Sequence, residues 1–434
     1  MNELFKFSNF NIIYPINDGK MLIYNTYSGA IIKVSEAIIS KDSLDDKTLF
    51  SKSLIDNSTV LSLFLENGII IPKNFSEIKN LEQTYKQTLT SNRTMHLHIS
   101  LTMDCNFTCG YCYQNQEKIY MNETTANGII SFINKEYNDG KIDNVELNWI
   151  GGEPLLNEKI IQKISGSLDK KIRRYGILHT NGYLLNKLSY EFLADSIGTI
   201  AITLDGPSSL HDSRRTLRGE KGTFIKIVEN IKNIVNSPNN RTKIIVTTNI
   251  DYNNVNYYNS LIQELNSHGL SSKIKLNFTK TISGSGRGVN YLPVMDNKTF
   301  FSLTEDFYKK ISSNGYGERN LPKKRNIVCN AEFDNTFYIG CDGDLFKCMP
   351  YSDKKDKIGY LKNTGEVKLD IEELAKWSKI KCFQDPICLN CKYLPLCLGG
   401  CPGERIHNER TCYYDKDDEV IRKRVLYYYE RHSK

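Results

Sequence analysis

Between His96 and Phe278 the chain alternates short apolar runs with longer stretches in which apolar residues recur at helical spacing. The short runs, 96–102, 145–150, 175–179, 199–204, 243–250 and 273–278, predict strands. The longer stretches, 123–137, 158–173, 186–195, 223–236 and 255–267, predict amphipathic helices. Strand–helix repetition predicts parallel βα units, since a parallel neighbour is reached only by a crossover. Six such units make an α/β fold closer to an open, partial (β/α)6 barrel than to a closed eight-stranded one. In such folds chemistry gathers in loops at the carboxyl ends of the strands.

The flanks follow other patterns. In residues 1–75, β-like runs at 11–14 and 21–24 surround Asp18-Gly19 and predict a hairpin, which 30–34 continues. A helix at 59–65 ends at Asn67-Gly68 before an apolar strand at 69–71. This order predicts a small winged α+β domain. Residues 76–94 are polar and helix-prone and predict a linker, which leaves 95–320 for the barrel and 321–434 for a cysteine- and loop-rich domain. There, Asp342-Gly343 within Thr336–Cys348 predicts a second hairpin, and 414–430 a final helix.

Composition narrows the class. The 434 residues are 40% hydrophobic and 25% charged, within the globular range. A net charge of +7 is mild for this length. The basic, aromatic stretch from Arg422 to Tyr429 reads as a solvated helix and not as a nucleic-acid surface. No apolar run reaches the ~18 residues of a spanning helix, and no secretory signal opens the chain, so the expectation is a cytoplasmic protein with no membrane partner. In that compartment the 12 cysteines are metal ligands before they are disulfides. Their distribution agrees: none precedes Cys105, and none lies between Cys112 and Cys329.

Cys105-x3-Cys109-x2-Cys112 directly follows the first barrel strand. Three thiolates hold three irons of a four-iron cluster and leave one iron open. A structural zinc site would need a fourth ligand nearby, and none follows. Tyr111 is placed to stack on a flat ring. Gly151-Gly152-Glu153-Pro154 follows the second strand, Thr180-Asn181-Gly182 the third, and Thr203-x-Asp205-Gly206 the fourth, with His211-Asp212-x2-Arg215 beyond. His211 by itself reads as structural.

This set resembles the radical S-adenosylmethionine (SAM) superfamily, whose signature is C-x3-C-x2-C with an aromatic before the last cysteine. The resemblance implies that Cys105, Cys109 and Cys112 hold a [4Fe-4S] cluster whose open iron binds S-adenosyl-L-methionine. It implies a cofactor pocket of Tyr111, Gly151, Gly152, Glu153, Pro154, Thr180, Asn181, Thr203, Asp205 and Arg215. In it the GGEP loop meets the methionine ammonium, and Arg215 pairs with the carboxylate, a task that suits a bidentate guanidinium.

The later cysteines, Cys329-x13-Gly343-x4-Cys348 and Cys388-x2-Cys391-x5-Cys397-x3-Cys401 followed by Cys412, resemble the SPASM extension of that superfamily. A zinc ribbon would explain four of them and leave the rest idle. The resemblance implies two auxiliary [4Fe-4S] clusters, three in all. Cys329, Cys348 and Cys401 fall to the first, with Cys341 chosen as its fourth ligand and Cys382 as the competitor. Cys388, Cys391, Cys397 and Cys412 fall to the second. Such clusters are oxygen-sensitive and point to an anaerobic host.

SPASM proteins act mostly on peptides. The main expectation is a maturase of ribosomally made peptides that forms a thioether or carbon–carbon crosslink. Residues 1–75 would bind the leader of the precursor peptide as an added strand, and a flavodoxin or ferredoxin would donate electrons. An anaerobic sulfatase maturase, forming formylglycine, is the alternative. Those enzymes place an Asp, as proton acceptor, after the equivalent of Cys348; here Met349-Pro350 follows, and Asp353 and Tyr351 are the nearby guesses for a base. A non-catalytic iron–sulfur or nucleic-acid-binding protein is the third reading, against which the complete motif set argues.

Overall fold

The computed structural model describes residues 4–36, 49–51, 58–219, 221–238, 240–282, 293–318, 320–350, 352–378, 382–407, 412, 414 and 419–432. The chain forms two compact units. The first comprises Met1–Asn92, Asn320–Glu332 and Lys379–Lys434.

In the first unit, β1 (Leu4–Phe7) pairs antiparallel with β5 (Leu49–Ser51) and β6 (Ile70–Pro72). β2 (Asn11–Ile16), β3 (Lys20–Asn25) and β4 (Ile31–Ser35) form a meander, turned first at Asp18-Gly19. Alternation along β3 sends its side chains to both faces, and both are covered. Met21 and Ile23 pack with Leu61 and Phe64 of α1 (Ser58–Glu66), while Leu22 and Tyr24 pack with Leu321, Tyr393, Leu396, Ile421 and Val425. Burying each such aliphatic side chain contributes roughly 1.5–3 kcal/mol.

This explains why the units cut across the sequential division into 1–75, 76–94, 95–320 and 321–434: the second face of β3 is completed by residues from the far end of the chain. The expected linker is likewise a packed element. It forms α2 (Glu77–Ser91), capped by Ser76, and its Leu81 is fully buried with Phe10, Cys382, Leu394 and Leu398.

The second unit, Arg93–Arg319 and Phe333–Ser378, is built on one ten-stranded sheet. Its core is six parallel strands in chain order: β7 (Thr94–Ser100), β8 (Asn144–Ile150), β9 (Arg173–Thr180), β10 (Thr199–Thr203), β11 (Lys243–Ile250) and β12 (Lys275–Lys280). The crossovers carry α3 (Glu123–Asn138), α4 (Glu158–Ser167), α5 (Tyr190–Ser196), α6 (Ser208–Arg214), α7 (Phe224–Val235) and α8 (Tyr258–Ser267). α4 stops at Ser167, short of the predicted 173, and α6 lies in the expected loop after β10. A further helix, α9 (Asn297–Ser313), was not foreseen; Asp296 caps it and Phe300, Phe307 and Ile311 bury its stripe.

The far edge of the sheet is made by β13 (Thr336–Ile339), which pairs parallel with β7, followed by the antiparallel β14 (Asp344–Phe346), β15 (Gly359–Leu361) and β16 (Val367–Leu369). The predicted hairpin at Asp342-Gly343 therefore continues the barrel's own sheet. One face of the parallel core is apolar and fully buried, with Leu97, Ile99, Leu147, Trp149, Leu178, Ile200, Ile202 and Val246. The opposite face carries His96, His98, Glu146, Asn148, His179, Thr247 and Asn277. Parallel strands covered on both faces are apolar throughout, so this polar face serves some other end than packing.

Candidate active site

Three loops meet at the carboxyl ends of β7, β8 and β9. Beyond β7, Thr102 donates to the Ile119 carbonyl at 2.7 Å and accepts from the Asp104 N–H at 3.0 Å. Beyond β8, the Gly152 N–H donates to the Thr102 carbonyl at 2.8 Å and the Glu153 N–H to the Asp104 carbonyl at 2.9 Å. The approach is too close for side chains. A Cβ on Gly151, whose φ is +150°, would lie 2.5 Å from the Thr102 carbonyl, and one on Gly152 2.3 Å from that of Asp104. The glycines of this motif thus lock the second loop onto the entrance of the cysteine loop.

Glu153 is fully buried. One oxygen accepts from the Leu155 N–H at 3.0 Å and the Thr180 hydroxyl at 2.8 Å, and the other from the Asn181 N–H at 2.8 Å. Burial raises its pKa, against which these hydrogen bonds and Arg215 act. Its acceptors are largely used in joining the second loop to the third, so its first task is structural. Glu153→Gln puts an NH2 against main-chain donors on either side. It should cost about 2 kcal/mol of stability, measurable by denaturant unfolding, with weaker S-adenosylmethionine binding by calorimetry.

The cysteine loop sits between these supports. Asp104 accepts from the Cys105 N–H at 2.9 Å, from Arg218 at 2.6 Å and from the Tyr120 hydroxyl at 2.5 Å. Burial opposes its charge, yet these donors hold it below the usual carboxylate range. Cys105 and Cys109 are buried and Cys112 half-buried. Burial pushes the Cys105 thiol up to about 12 and raises that of Cys109. The three form one electrostatic neighbourhood, Cys105 sensing Cys109 and Cys109 sensing Cys112. The Phe107 N–H points at the Cys105 sulfur from 3.4 Å, and the Asn181 amide reaches it at 4.0 Å.

Among the described residues no three His, Cys, Asp or Glu side chains are set to hold a single metal ion. Three loop thiols, N–H donors aimed at sulfur and a buried cation fit an iron–sulfur cluster, since these are the groups that tune one.

The cation is Arg215, which donates to the Tyr111 hydroxyl at 2.6 Å. Tyr111 also donates to Asp205 and accepts from the Asn249 amide at 3.3 Å. Arg214 lies over the Tyr111 ring at 5.0 Å and pairs with Asp251 at 2.7 Å. The expected stacking residue is therefore a buried hub joining the cysteine loop to the ends of β10 and β11. Arg215 keeps its Nε without a protein partner, which suits a carboxylate acceptor. His211 is fully buried, and burial, with Arg215 and Arg214, holds it well below its ordinary pKa; Nδ1 accepts from the Asp205 N–H at 3.3 Å.

The remaining expected residues lie as follows. Pro154 is buried at the start of a single turn. Thr203 ends β10 half-buried beside Thr247, and Asp205 is fully buried. Asp353 is exposed, and Tyr351 lies outside the described residues. Sequence reasoning missed Asp104, Arg214, Asn249 and Asp251. Asp104 and Arg214 each adjoin a motif residue; Asn249 and Asp251 carry no local signal.

The later cysteines divide between the units. In the second, Cys341 is buried against Ser100 at 3.6 Å, and Cys348 is sensed by Tyr113, which also senses Cys112 and whose hydroxyl reaches the Met349 sulfur at 3.3 Å. In the first, Cys397 senses Cys391, Cys388 and Cys412, and Cys329 senses Cys401. Cys382 lies against Cys388 and Cys397.

Residues 99–257 match the family profile of the Radical SAM superfamily. The chain carries a radical SAM domain. It is 25% identical over 341 residues, 69% of this chain and 85% of the relative, to a cysteine-type anaerobic sulfatase-maturating enzyme of Clostridium novyi. Among solved structures, the fold resembles anSMEcpe with bound AdoMet and Kp18Cys peptide (TM-score 0.57, 18% identity, 78% of this chain and 98% of that one). It also resembles Streptococcus suis SuiB bound to S-adenosylmethionine (TM-score 0.54, 14% identity, 94% of this chain and 100% of that one). SuiB bound to precursor peptide SuiA matches with TM-score 0.51. These relatives are SPASM-type radical SAM enzymes. No helix among the described residues is long and apolar enough to cross a membrane.

Proposed function

We propose that this chain is a peptide maturase that removes a hydrogen atom from a residue of a ribosomally made precursor and joins that residue to another by a thioether or carbon–carbon bond. When bound, the first cluster and S-adenosylmethionine supply a 5′-deoxyadenosyl radical. Cys105, Cys109 and Cys112 ligate that cluster, Arg215 takes the methionine carboxylate, and the loops pinned by Gly151, Gly152 and Glu153 fix the cofactor's position. Cys329, Cys341, Cys348 and Cys401 hold one auxiliary cluster. Cys388, Cys391, Cys397 and Cys412 hold the other. A flavodoxin or ferredoxin reduces the enzyme.

The observation that carries the choice of substrate is the meander β2-β3-β4. Its strands run in the order β2-β3-β4, and such a meander takes a leader peptide as an added strand by main-chain hydrogen bonds. The structural likeness to SuiB, solved with a precursor peptide, supports this reading. The test is to search beside the gene for a short reading frame that encodes a leader and core, and to take the mass spectrum of that peptide after incubation with enzyme, S-adenosylmethionine and reductant. A loss of two hydrogens per crosslink is expected; an unchanged mass rules crosslinking out.

Formylglycine formation is the second reading, favoured by the sulfatase-maturating relatives. Against it stands Met349, which follows Cys348 and packs on Ile150, Tyr338 and Phe346 where an acid would be needed. Oxidation of a sulfatase-derived Cys peptide, with loss of hydrogen sulfide, would decide for it.

A further inference from the structure

Three of the chain's seven histidines stand on the polar face of the sheet and take no part in the site described above. His96 and His98 are on β7 and His179 is on β9; β8 between them carries Glu146 and Asn148. The register sets His96 beside Glu146 and His98 beside Asn148. The Asn148 amide donates to Glu146 at 2.9 Å, and His96 Nδ1 is 3.4 Å from the same oxygen. His96 is stacked on the Phe333 ring, with centroids 5.7 Å apart. Neither the His98 nor the His179 imidazole makes a hydrogen bond among the described residues.

The electrostatics follow from this layout. The hydrogen bond from His96 leads in holding Glu146 below its usual range. Burial, then His179, pushes the half-buried His98 down to about 4; crowding by the sheet lowers His179 too, although its side chain is reached by solvent. His98 is therefore neutral near pH 7 and keeps a free lone pair, and His179 stands exposed on the same face of the sheet. The other titratable groups of the surrounding strands are Tyr338, beside His98, Tyr175, beside Glu146 and hydrogen-bonded to Thr199, and the exposed Arg173 and Arg174 at the start of β9. The pair is also close to the chemistry: His179 is two residues before Asn181, which touches the cysteine loop through Asn106 at 2.7 Å.

We propose that His98 and His179 are the proton-accepting pair for the substrate, with Glu146 the anion that holds the resulting imidazolium and His96 and Asn148 its positioning residues. The inference rests on the maturase reading. The hydrogen atom leaves a substrate carbon for the deoxyadenosyl radical, giving 5′-deoxyadenosine. The carbon radical bonds to a heteroatom bearing S–H, O–H or N–H, and that proton passes to the imidazole. The electron left over passes to an oxidised iron–sulfur cluster. Loss of an electron makes the departing proton strongly acidic, so a weak base suffices.

The experiment compares the reconstituted full-length enzyme with His98→Gln, His179→Gln and, as control, His432→Gln on the exposed last helix, all with the precursor peptide encoded beside the gene. Product formed per 5′-deoxyadenosine should fall at least about 10-fold in the first two variants and stay level in the control. Imidazole NMR of the 13C-histidine-labelled wild type should show the His98 ring neutral from pH 6 to 8, whichever variants fold. An unchanged product ratio in the His98 and His179 variants, or a His98 ring protonated at neutral pH, overturns the pair. A wild type that leaves the peptide unmodified overturns the maturase reading on which the pair depends.

Discussion

Replacing Cys105, Cys109 and Cys112 together by alanine should abolish 5′-deoxyadenosine formation while removing only about four irons per chain. The protein should remain folded. The loop's backbone is held by Asp104, by the Gly152 and Glu153 amides and by Asn181, not by its sulfurs. Cys105 and Cys109 are buried, and burial, which pushes Cys105 up to about 12 and raises Cys109, keeps them neutral when free of metal. Alanine therefore replaces a small neutral buried group and leaves no stranded charge. Iron analysis and the absorbance of the anaerobic protein check the first half, and chromatography of the nucleoside product checks the second. Loss of all the iron would mean that the cysteines from Cys329 to Cys412 hold none, and would overturn the auxiliary clusters. Retained cleavage of S-adenosylmethionine would overturn the assignment of the radical-generating cluster.

The same contrast between local and distant causes decides what the amino-acid order makes legible. The six parallel strands are local events, and each falls within a few residues of its apolar run. The cysteine loop and the GGEP, Asn-Gly and Asp-Gly turns can be found because their function needs fixed residue types at fixed spacing. Helix α9 carried a readable signal too, an Asp cap followed by Phe300, Phe307 and Ile311 on one stripe. What no local pattern carries is pairing over distance. β13 joins β7 across the whole barrel sequence, so the cysteine hairpin becomes part of the sheet. β3 needs cover on its second face, and residues near the far end of the chain supply it.

The site divides along the same line. Tyr111 was legible as an aromatic before a ligand cysteine, but its part as a hub depends on Asp205, Arg215 and Asn249, which come from the ends of different strands. His98 and His179 look like isolated histidines in sequence. Only the strand register sets His98 beside Asn148 and puts His179, two residues beyond the Ile177 that flanks Asn148 on the other side, on the same face.

Gly152→Ala should disable the site as surely as loss of the cysteines. Its Cβ would lie 2.3 Å from the Asp104 carbonyl oxygen, 2.7 Å from the Asp104 carbonyl carbon and 2.9 Å from the Met103 carbonyl oxygen. All three are backbone atoms, so no side chain can swing aside. Relief requires the second loop to move off the first, which breaks the hydrogen bonds from the Gly152 and Glu153 amides and draws Glu153 away from Asn181. Overpacking alone costs about 1–3 kcal/mol, and each buried hydrogen bond left unmade adds roughly 1–3 kcal/mol more. Denaturant unfolding should therefore show a loss of about 3 kcal/mol or more, and S-adenosylmethionine cleavage should fall at least about 100-fold, as expected when reacting groups are displaced by an ångström. Gly166→Ala is the matched control. That glycine lies in α4, where an added methyl group would meet nothing within 4 Å, and alanine there should stabilise the helix by about 0.5–1 kcal/mol. A Gly152→Ala enzyme as stable and active as the Gly166→Ala control would show that the loop contact is not what holds the cofactor site together.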